Sequence, residues 1–248
     1  MDIKRVFSVP KEVLRQSRDP FMVKAAFVVA YFLYYISKHL FRFPVSTFPE
    51  MNMEVKGCQF ETRKKTIDFW MCLESYETEI DDFLEHKKEM TFIDIGANIG
   101  RYSVPLGKKF KVISFEPLSS TFNQLKKNLS RNNSNAILHE CGIGDIEKKI
   151  DLYYDPNEHG EASVAFKAGN KKETIQIYPL DKILEEEKNP VIKIDVEGYE
   201  YEVLKGAEQF IRNNQPVIII EIWNDKTRDF LRDLGYSGKG DIWQKTEM

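Results

Sequence analysis

Residues 91–103 read T-F-I-D-I-G-A-N-I-G-R-Y-S, and this stretch decides the fold of the 248-residue chain. A short apolar run contains Asp94 near its end, and Gly96 and Gly100 follow four residues apart. An apolar strand, a glycine turn and a helix start form the ligand loop at the first strand of a doubly wound sheet. The stretch therefore predicts an α/β fold with a ligand-binding loop.

The acid in this turn restricts the ligand. A dinucleotide fingerprint, G-x-G-x-x-G, fails here because Asn98 and Arg101 stand where its second and third glycines belong. Asp94 would also repel a pyrophosphate, whereas a carboxylate favours a positively charged group nearby. S-adenosylmethionine, which carries an ammonium group, fits that requirement. The alternative is a glycine turn that binds no ligand.

Charge divides the chain into two parts. Residues 1–50 carry eight Lys or Arg and four Asp or Glu, a net charge of +4. Residues 51–248 carry 28 basic and 35 acidic residues, a net charge of −7. Because a nucleic acid partner requires a basic face, the acidic body disfavours nucleic acid. The length suits one large α/β domain with an appendage, or two small domains.

The cysteines and histidines predict neither a disulfide framework nor a zinc site. Cys58, Cys72 and Cys141 are odd in number and lack paired spacing, which predicts reduced thiols and a cytoplasmic protein. The four histidines pair with no cysteine at zinc-ligand spacing.

Residues 1–50 predict a helical extension. Asp19 and Pro20 form a helix start, with an acidic N-cap and proline at the first helical position. The helix should end before Phe43-Pro44, and its apolar residues lie all round, so it is either buried or in lipid. Residues 20–42 thus predict packing on the body, contact with a second copy in a homo-oligomer, or an interfacial or spanning membrane contact.

The remaining chain predicts a small leading unit and a core. Residues 51–90 predict a β-hairpin turning near Arg63-Lys64-Lys65, then a helix over 74–88. Residues 91–248 alternate strands with helices, which predicts a mostly parallel, doubly wound sheet. The predicted parallel strands cover 91–95, 111–115, 136–140, 191–196 and 217–223, with a closing antiparallel edge strand at 241–245. The predicted helices cover 99–108, 119–128, 200–212 and 226–234, and a second hairpin pairs 149–154 with 174–178.

Acidic side chains end several of these strands. In open α/β sheets the ligand binds at the carboxyl ends of the strands. Glu116 follows the second strand, where a carboxylate accepts hydrogen bonds from both hydroxyls of a ribose; the alternative is a structural acid near a helix start. Asp145, after the third strand, is a candidate acceptor for the adenine amino group or an ordinary turn acid.

The fourth strand carries charges that an apolar central strand would exclude. Lys193 and Asp195 share one face of K-I-D-V-E-G, which indicates either a structural ion pair or a functional site. Asp195 is the first candidate for a base or a substrate-orienting group, and His159 in a polar loop is the second. Glu197 and Glu221 lie nearby in the predicted fold, so a divalent metal held with Asp195 is an alternative, though not the favoured one.

Four segments form one combination: D-I-G-A-N-I-G at 94–100, F-E-P at 115–117, G-I-G-D at 142–145 and K-I-D-V-E-G-Y-E-Y-E-V-L-K-G-A at 193–207. Together, over residues 75–242, they resemble the FkbM-type methyltransferase family. The resemblance implies a class I S-adenosylmethionine-dependent methyltransferase with a seven-stranded, Rossmann-like sheet. By position it assigns the donor-binding loop to Asp94, Gly96, Asn98 and Gly100. It assigns the ribose acid to Glu116, the adenine-side residue to Asp145, and a Tyr-Glu pair before the first strand to Tyr76 and Glu77.

Many members of this family methylate hydroxyl groups of sugars or natural products. The sequence therefore predicts an enzyme that methylates a hydroxyl group of a sugar, a glycan or another small molecule. The alternatives are an RNA or protein methyltransferase on the same fold, and a non-catalytic scaffold. The catalytic body should face the cytosol, where S-adenosylmethionine is made.

Overall fold

The computed structural model describes residues 3–41, 46–154 and 171–246. The N-terminal extension forms two helices, and a hairpin, a short 3₁₀ helix and a third helix lead into the core. These elements are α1 (Ile3–Gln16), α2 (Phe21–Ile36) with a π-helical turn (Ser37–Phe41), β1 (Asn52–Val55), β2 (Cys58–Glu61), the 3₁₀ helix Asp68–Trp70 and α3 (Thr78–Glu85).

The core alternates strands and helices as predicted. Its strands are β3 (Thr91–Ile95), β4 (Lys111–Phe115), β5 (Ile137–His139), β6 (Gly142–Ile143), β7 (Lys148–Tyr154), β8 (Lys171–Tyr178), β9 (Pro190–Ile194), β10 (Val217–Ile220), β11 (Tyr236–Lys239) and β12 (Ile242–Lys245). Its helices are α4 (Ser103–Leu106), α5 (Ser119–Arg131), α6 (Glu200–Gly206), α7 (Glu208–Asn214) and α8 (Asp225–Asp233).

Within the described residues, the main sheet has seven strands in the order β11-β12-β10-β9-β3-β4-β5. The five strands from β10 to β5 are parallel, and β12 runs antiparallel to β10. This confirms the mostly parallel α/β sheet. β4 follows β3 on one side while β9 flanks it on the other, and this reversal of strand order opens a crevice at the carboxyl ends of the strands.

The first hairpin turns earlier than predicted. β1 and β2 meet at Lys56-Gly57, with φ of 52° and 70°, which is the backbone of a type I′ turn. The segment predicted to form the second strand of this hairpin instead contains the 3₁₀ helix Asp68–Trp70. Its first residue explains the difference, because the Asp68 carboxylate accepts hydrogen bonds from the backbone N–H and guanidinium of Arg63, which fold this segment back on itself.

Two further corrections concern the C-terminal half. β12 is not the edge strand, because β11 pairs along its outer side. The predicted helix over 200–212 is interrupted at Ala207, which separates α6 from α7. Here two backbones approach closely: a Cβ added at Gly206 would lie 1.8 Å from the Gly144 carbonyl oxygen.

Asp19 does not cap α2. Its carboxylate accepts hydrogen bonds from the backbone N–H and side-chain amide of Asn52, at 2.7 and 2.8 Å, and so attaches the extension to β1. α2 packs on the body through Phe27, whose ring centroid lies 5.5 Å from Phe48 and 4.9 Å from Phe69. One hydrophobic cluster runs from α2 to the loop after β3 and contains residues of all three predicted units. The division into 1–50, 51–90 and 91–248 stays a prediction.

This packing predicts opposite outcomes for two positions on α2. Phe27→Ala should lower the free energy of unfolding by about 3–5 kcal/mol, because it leaves a cavity in the shared cluster. Val29→Ala, on the exposed side, should change it by less than about 0.5 kcal/mol. Urea unfolding of both variants measures the difference, and equal small effects would contradict docking of α2 on the body.

Candidate functional site

A row of polar side chains crosses the middle of the buried sheet. Asp94 on β3 lies in register with Ser114 on β4 and with Lys193 on β9, and all three are buried. Parallel strands in register place such residues on the same side of the sheet, near its carboxyl edge. The charges that the sequence placed on separate strands are therefore neighbours.

Lys193 is the only cation in this row, and carboxylates surround it. Its ammonium nitrogen lies 2.7 Å from Asp195 Oδ2 and 4.0 Å from Glu77 Oε2. Burial alone would lower the pKa of Lys193, but the charges of Asp195, Glu77 and Asp94 outweigh burial and raise it. The ammonium group therefore stays charged, and three carboxylates facing one cation leave an excess of negative charge.

Asp94 is held by a hydroxyl pair. Ser103 donates a hydrogen bond to Asp94 Oδ2, and the Ser103 and Ser114 hydroxyl oxygens are 2.7 Å apart. Burial raises the pKa of Asp94 to about 6, although the charge of Lys193 and the Ser103 hydrogen bond oppose that shift. Asp94 is thus a carboxylate with little solvation of its own.

The glycine loop after β3 needs its glycines. Gly96 has φ of +87°, and a Cβ there would lie 1.9 Å from the Asp195 carbonyl oxygen. Gly100 has φ of +93°, and its Cβ would lie 2.7 Å from Leu125 Cδ1. The N–H groups of Gly96 and Ala97 both donate to the Phe115 carbonyl, so the loop is tied to the end of β4.

Glu116 follows directly at that strand end. Its two carboxylate oxygens accept hydrogen bonds from the backbone N–H groups of Asn98 and Leu118, each at 3.0 Å. Burial raises the pKa of Glu116 to about 7, against the lowering effect of those two hydrogen bonds. Each oxygen keeps lone pairs for a further donor, so the pair can accept two neighbouring hydroxyl groups.

Several side chains that support the loop were missed by the sequence analysis. Arg63 pairs with Asp68 and donates to the Thr121 hydroxyl at 2.7 Å, and its Nη2 lies 3.5 Å from Asn98 Oδ1. No pattern around Arg63 marks it, because it comes from the region expected to be a solvated hairpin turn. Tyr102 adjoins the quoted motif, and its hydroxyl donates to Glu77 Oε2 at 2.6 Å.

A cavity of about 370 Å³ lies at the carboxyl edge of the sheet, beside the glycine loop. Its lining includes Tyr76, Gly96 and Asn98 among the predicted residues, with Trp70, Leu118 and Tyr199 among its apolar walls. Within the described part of the chain, two cations line it, Arg101 and Lys193, against six carboxylates: Glu77, Asp94, Glu116, Asp195, Glu197 and Glu221. The site therefore favours a cationic ligand with an apolar portion.

Two of the predicted residues that the structure describes do not line this cavity. Gly100 lies outside the cavity lining, next to the side chain of Leu125. Asp145 lies outside the lining and pairs with Lys148 at 3.0 Å. Burial would raise the pKa of Asp145, but the hydrogen bond from Lys148 and the charge of Lys205 lower it. His159 lies outside the described residues, so its role, like that of Asp145, stays a prediction.

A metal centre has no visible ligand set in residues 3–41, 46–154 and 171–246. There, no group of three or more His, Cys, Asp or Glu is arranged to hold a metal ion. Asp195 Oδ2 instead accepts a hydrogen bond from the ammonium group of Lys193.

A doubly wound sheet thus carries a glycine loop, the buried Glu116 and a cavity lined mainly by carboxylates at its carboxyl edge. A family model described as "Methyltransferase FkbM domain" matches residues 94–237, more than half of the chain. The chain belongs to this family, which confirms the resemblance drawn from its motifs.

Curated relatives match a shorter region. Methyltransferase sdnD of Sordaria araneosa is 28% identical over 173 residues, covering 53% of this chain and 65% of that protein. Hexuronic acid methyltransferase AglP of Haloferax volcanii is 28% identical over 138 residues, covering 54% of this chain and 57% of that protein. The chain thus spans less than two thirds of the length of either relative.

A solved structure from the same family covers more of the chain. The methyltransferase FkbM from Methylobacillus flagellatus KT covers 98% of this chain and 59% of its own, with 18% identity and a TM-score of 0.47.

Two glycines with similar backbones test the close approach in the loop. Gly57 also has positive φ, but a Cβ there meets nothing within 4 Å. Gly57→Ala should cost about 1 kcal/mol of unfolding free energy, from backbone strain alone. Gly96→Ala should cost about 2–4 kcal/mol, because the methyl group also displaces the Asp195 carbonyl.

Urea unfolding of the two variants measures both costs. Equal costs would contradict the tight contact between the glycine loop and the end of β9.

Proposed function

We propose that this protein is an S-adenosylmethionine-dependent methyltransferase that methylates a hydroxyl group of a sugar, a glycan or another small molecule. The observation that carries the proposal is the charge of the cavity, where six carboxylates and two cations surround a glycine loop. A sulfonium donor is cationic, whereas a dinucleotide brings two phosphates into the same place.

The charged side chains at this edge of the sheet suit each part of S-adenosylmethionine. Glu116 would accept the two ribose hydroxyls, and the excess charge of Asp94 and Glu77 would hold the ammonium group. Arg101 is buried, lines the cavity and leaves Nε and Nη1 without a hydrogen-bond partner among the described residues. Arg101 Nη2 pairs with Asp81 at 2.6 Å, and each of the two remaining donor nitrogens can bond a carboxylate oxygen, so Arg101 suits the carboxylate of the donor.

The bound donor supplies an activated methyl group for in-line displacement by an acceptor oxygen. This chain's task is to align the acceptor and take its proton. Asp195 suits both tasks, since Lys193 fixes its Oδ2 while its side chain lines the cavity and remains 38% exposed. Glu197 and Glu221 line the same side and would receive polar groups of the acceptor.

The acceptor class follows from charge and from the relatives. One relative is named as a hexuronic acid methyltransferase, which supports a sugar acceptor. An RNA acceptor is less compatible with a carboxylate-lined cavity, because phosphates would be repelled. A protein acceptor and a non-catalytic scaffold remain alternative outcomes of the tests below.

The expected surroundings of the protein belong to the same proposal. A cytoplasmic location supplies the donor, and three buried free cysteines are compatible with it. Membrane contact or self-association through residues 20–42 would be additional to the packing of α2 on the body, because that helix also has an exposed side.

Donor binding should depend on pH through two buried acids. Asp94 and Glu116 have pKa values raised to about 6 and about 7, and a cation binds their ionised forms. The affinity for S-adenosylmethionine should therefore rise about tenfold or more between about pH 5 and about pH 8. Calorimetric titration across this range measures it, and Asp94→Asn should flatten part of the rise.

The same acids should have the opposite effect on the stability of the ligand-free protein, which should fall as the pH rises. Because their folded pKa values are raised, their contribution to stability is present below the ordinary carboxyl pKa and is lost as the pH rises through about 6 to 7. Asp151→Asn is the control matched to Asp94→Asn in the pH measurements, because Asp151 lies on β7 and does not line the cavity. An affinity independent of pH in the unaltered protein would contradict the role of Asp94 and Glu116.

Asp195→Asn should separate catalysis from donor binding. We expect kcat to fall about 10²–10⁴-fold with a hydroxyl acceptor, because an amide orients the acceptor but takes no proton. The affinity for S-adenosylmethionine should change by less than about tenfold, since Glu116 and the loop are untouched. Turnover equal to that of the unaltered enzyme would remove Asp195 as the base.

A further inference from the structure

α2 exposes a continuous apolar stripe that no part of the described chain covers. Met22, Val29, Leu33 and Ile36 are 76%, 61%, 52% and 50% exposed, and Ala26 between them is also exposed. Their spacing of three and four residues places all five on one side of the helix. We call this set the outer stripe.

A second stripe on the same helix faces the body. Phe27, Ala30 and Tyr31 are buried, and Val23 and Tyr34 pack against the same cluster. At 3.6 residues per turn the two stripes lie about 120° apart. Packing on the body therefore explains the apolar residues on one side of α2. It does not explain the outer stripe.

Exposed apolar side chains concentrate in this part of the protein. Among the described residues, nine large hydrophobic side chains are exposed, and six of them belong to α1 and α2. Single exposed apolar residues are ordinary on a soluble surface, but a contiguous set at helical spacing marks an interaction surface.

The packing of α2 restricts how it would meet a membrane. The window Phe21–His39 has a mean hydropathy of 1.3, enough in length and composition to cross a bilayer. A spanning helix would need lipid or other spanning segments on all sides, yet Phe27 is fully buried against Phe48 and Phe69 of a charged, folded body. Only an orientation parallel to the surface keeps this packing and immerses the outer stripe.

Charge identifies the surface that fits. Residues 3–41 carry seven Lys or Arg and two Asp or Glu, whereas residues 51–248 carry a net charge of −7. Lys11, Lys24 and Lys38 form no ion pair within the described residues. Two copies meeting through the outer stripe would bring two basic segments together, whereas anionic lipid headgroups would neutralise them.

We propose that the outer stripe inserts into the headgroup region of an anionic membrane, with α2 parallel to the surface. The site would lie close by, because Phe27 contacts Phe69, and the next residue, Trp70, lines the cavity. Binding at the membrane does not depend on the proposed methyl transfer.

Vesicle co-sedimentation of the full chain tests this proposal. We expect binding to vesicles of phosphatidylcholine with phosphatidylglycerol, weaker binding to phosphatidylcholine alone, and loss of binding at high salt. Leu33→Glu should weaken binding more than about tenfold, because it puts a charge in place of a leucine that would enter the headgroup region. Ile137→Glu is the matched control: Ile137 is on β5 with the same 50% exposure as Ile36, and its variant should bind as the unaltered chain does.

Thermal unfolding shows whether both variants keep the fold, and light scattering gives their oligomeric state. Val29→Glu provides a second test of the stripe if Leu33→Glu is unstable. Equal binding by Leu33→Glu and Ile137→Glu, or no binding to anionic vesicles, overturns the proposal. A dimer that Leu33→Glu converts to a monomer, without vesicle binding, would instead assign the stripe to self-association.

Discussion

The ammonium group of Lys193, enclosed by Asp94, Asp195 and Glu77, is the interaction on which the site depends. A lysine buried in a central strand would be costly without partners, and removing one partner of a buried pair typically costs about 3–5 kcal/mol. Asp195 bonds the ammonium group directly at 2.7 Å, Glu77 lies 4.0 Å away, and the charge of Asp94 also acts on it, so the cluster is both a structural constraint and a source of negative charge. The cationic preference of the cavity follows from that imbalance.

The sheet makes this arrangement possible. Register between β3 and β9 sets Asp94 beside Lys193, and the tight approach of Gly96 to the Asp195 carbonyl joins the two strand ends. On the other side, Glu116 takes N–H groups from Asn98 and Leu118 and fixes the loop against β4. The segment after β2 contributes through Arg63, so residues before the first core strand also support the loop beside the cavity.

Much of the fold and part of the site were predictable from sequence, for identifiable reasons. β3 and β9 are apolar apart from Thr91, Asp94 and Lys193, β10 is wholly apolar, and the alternation of such strands with helices predicts a parallel sheet. The motif around Asp94 and the K-I-D-V-E-G segment predicted the acids that line the cavity. Individual side-chain hydrogen bonds and edge-strand pairing were not predictable from these patterns: Asp68 folds back on Arg63, β11 pairs outside β12, and Asp19 binds Asn52 rather than capping α2. The two faces of α2 also escaped prediction, because an apolar helix gives no sign of which side the body covers.

The most direct test of this account is a calorimetric titration of the full chain with S-adenosylmethionine and, separately, with NAD at neutral pH. The account predicts saturable, one-to-one binding of S-adenosylmethionine and no measurable binding of NAD, because the carboxylates around Lys193 favour a cation and repel a pyrophosphate. Binding of NAD as tight as that of S-adenosylmethionine, or no binding of S-adenosylmethionine by the folded protein, would contradict it.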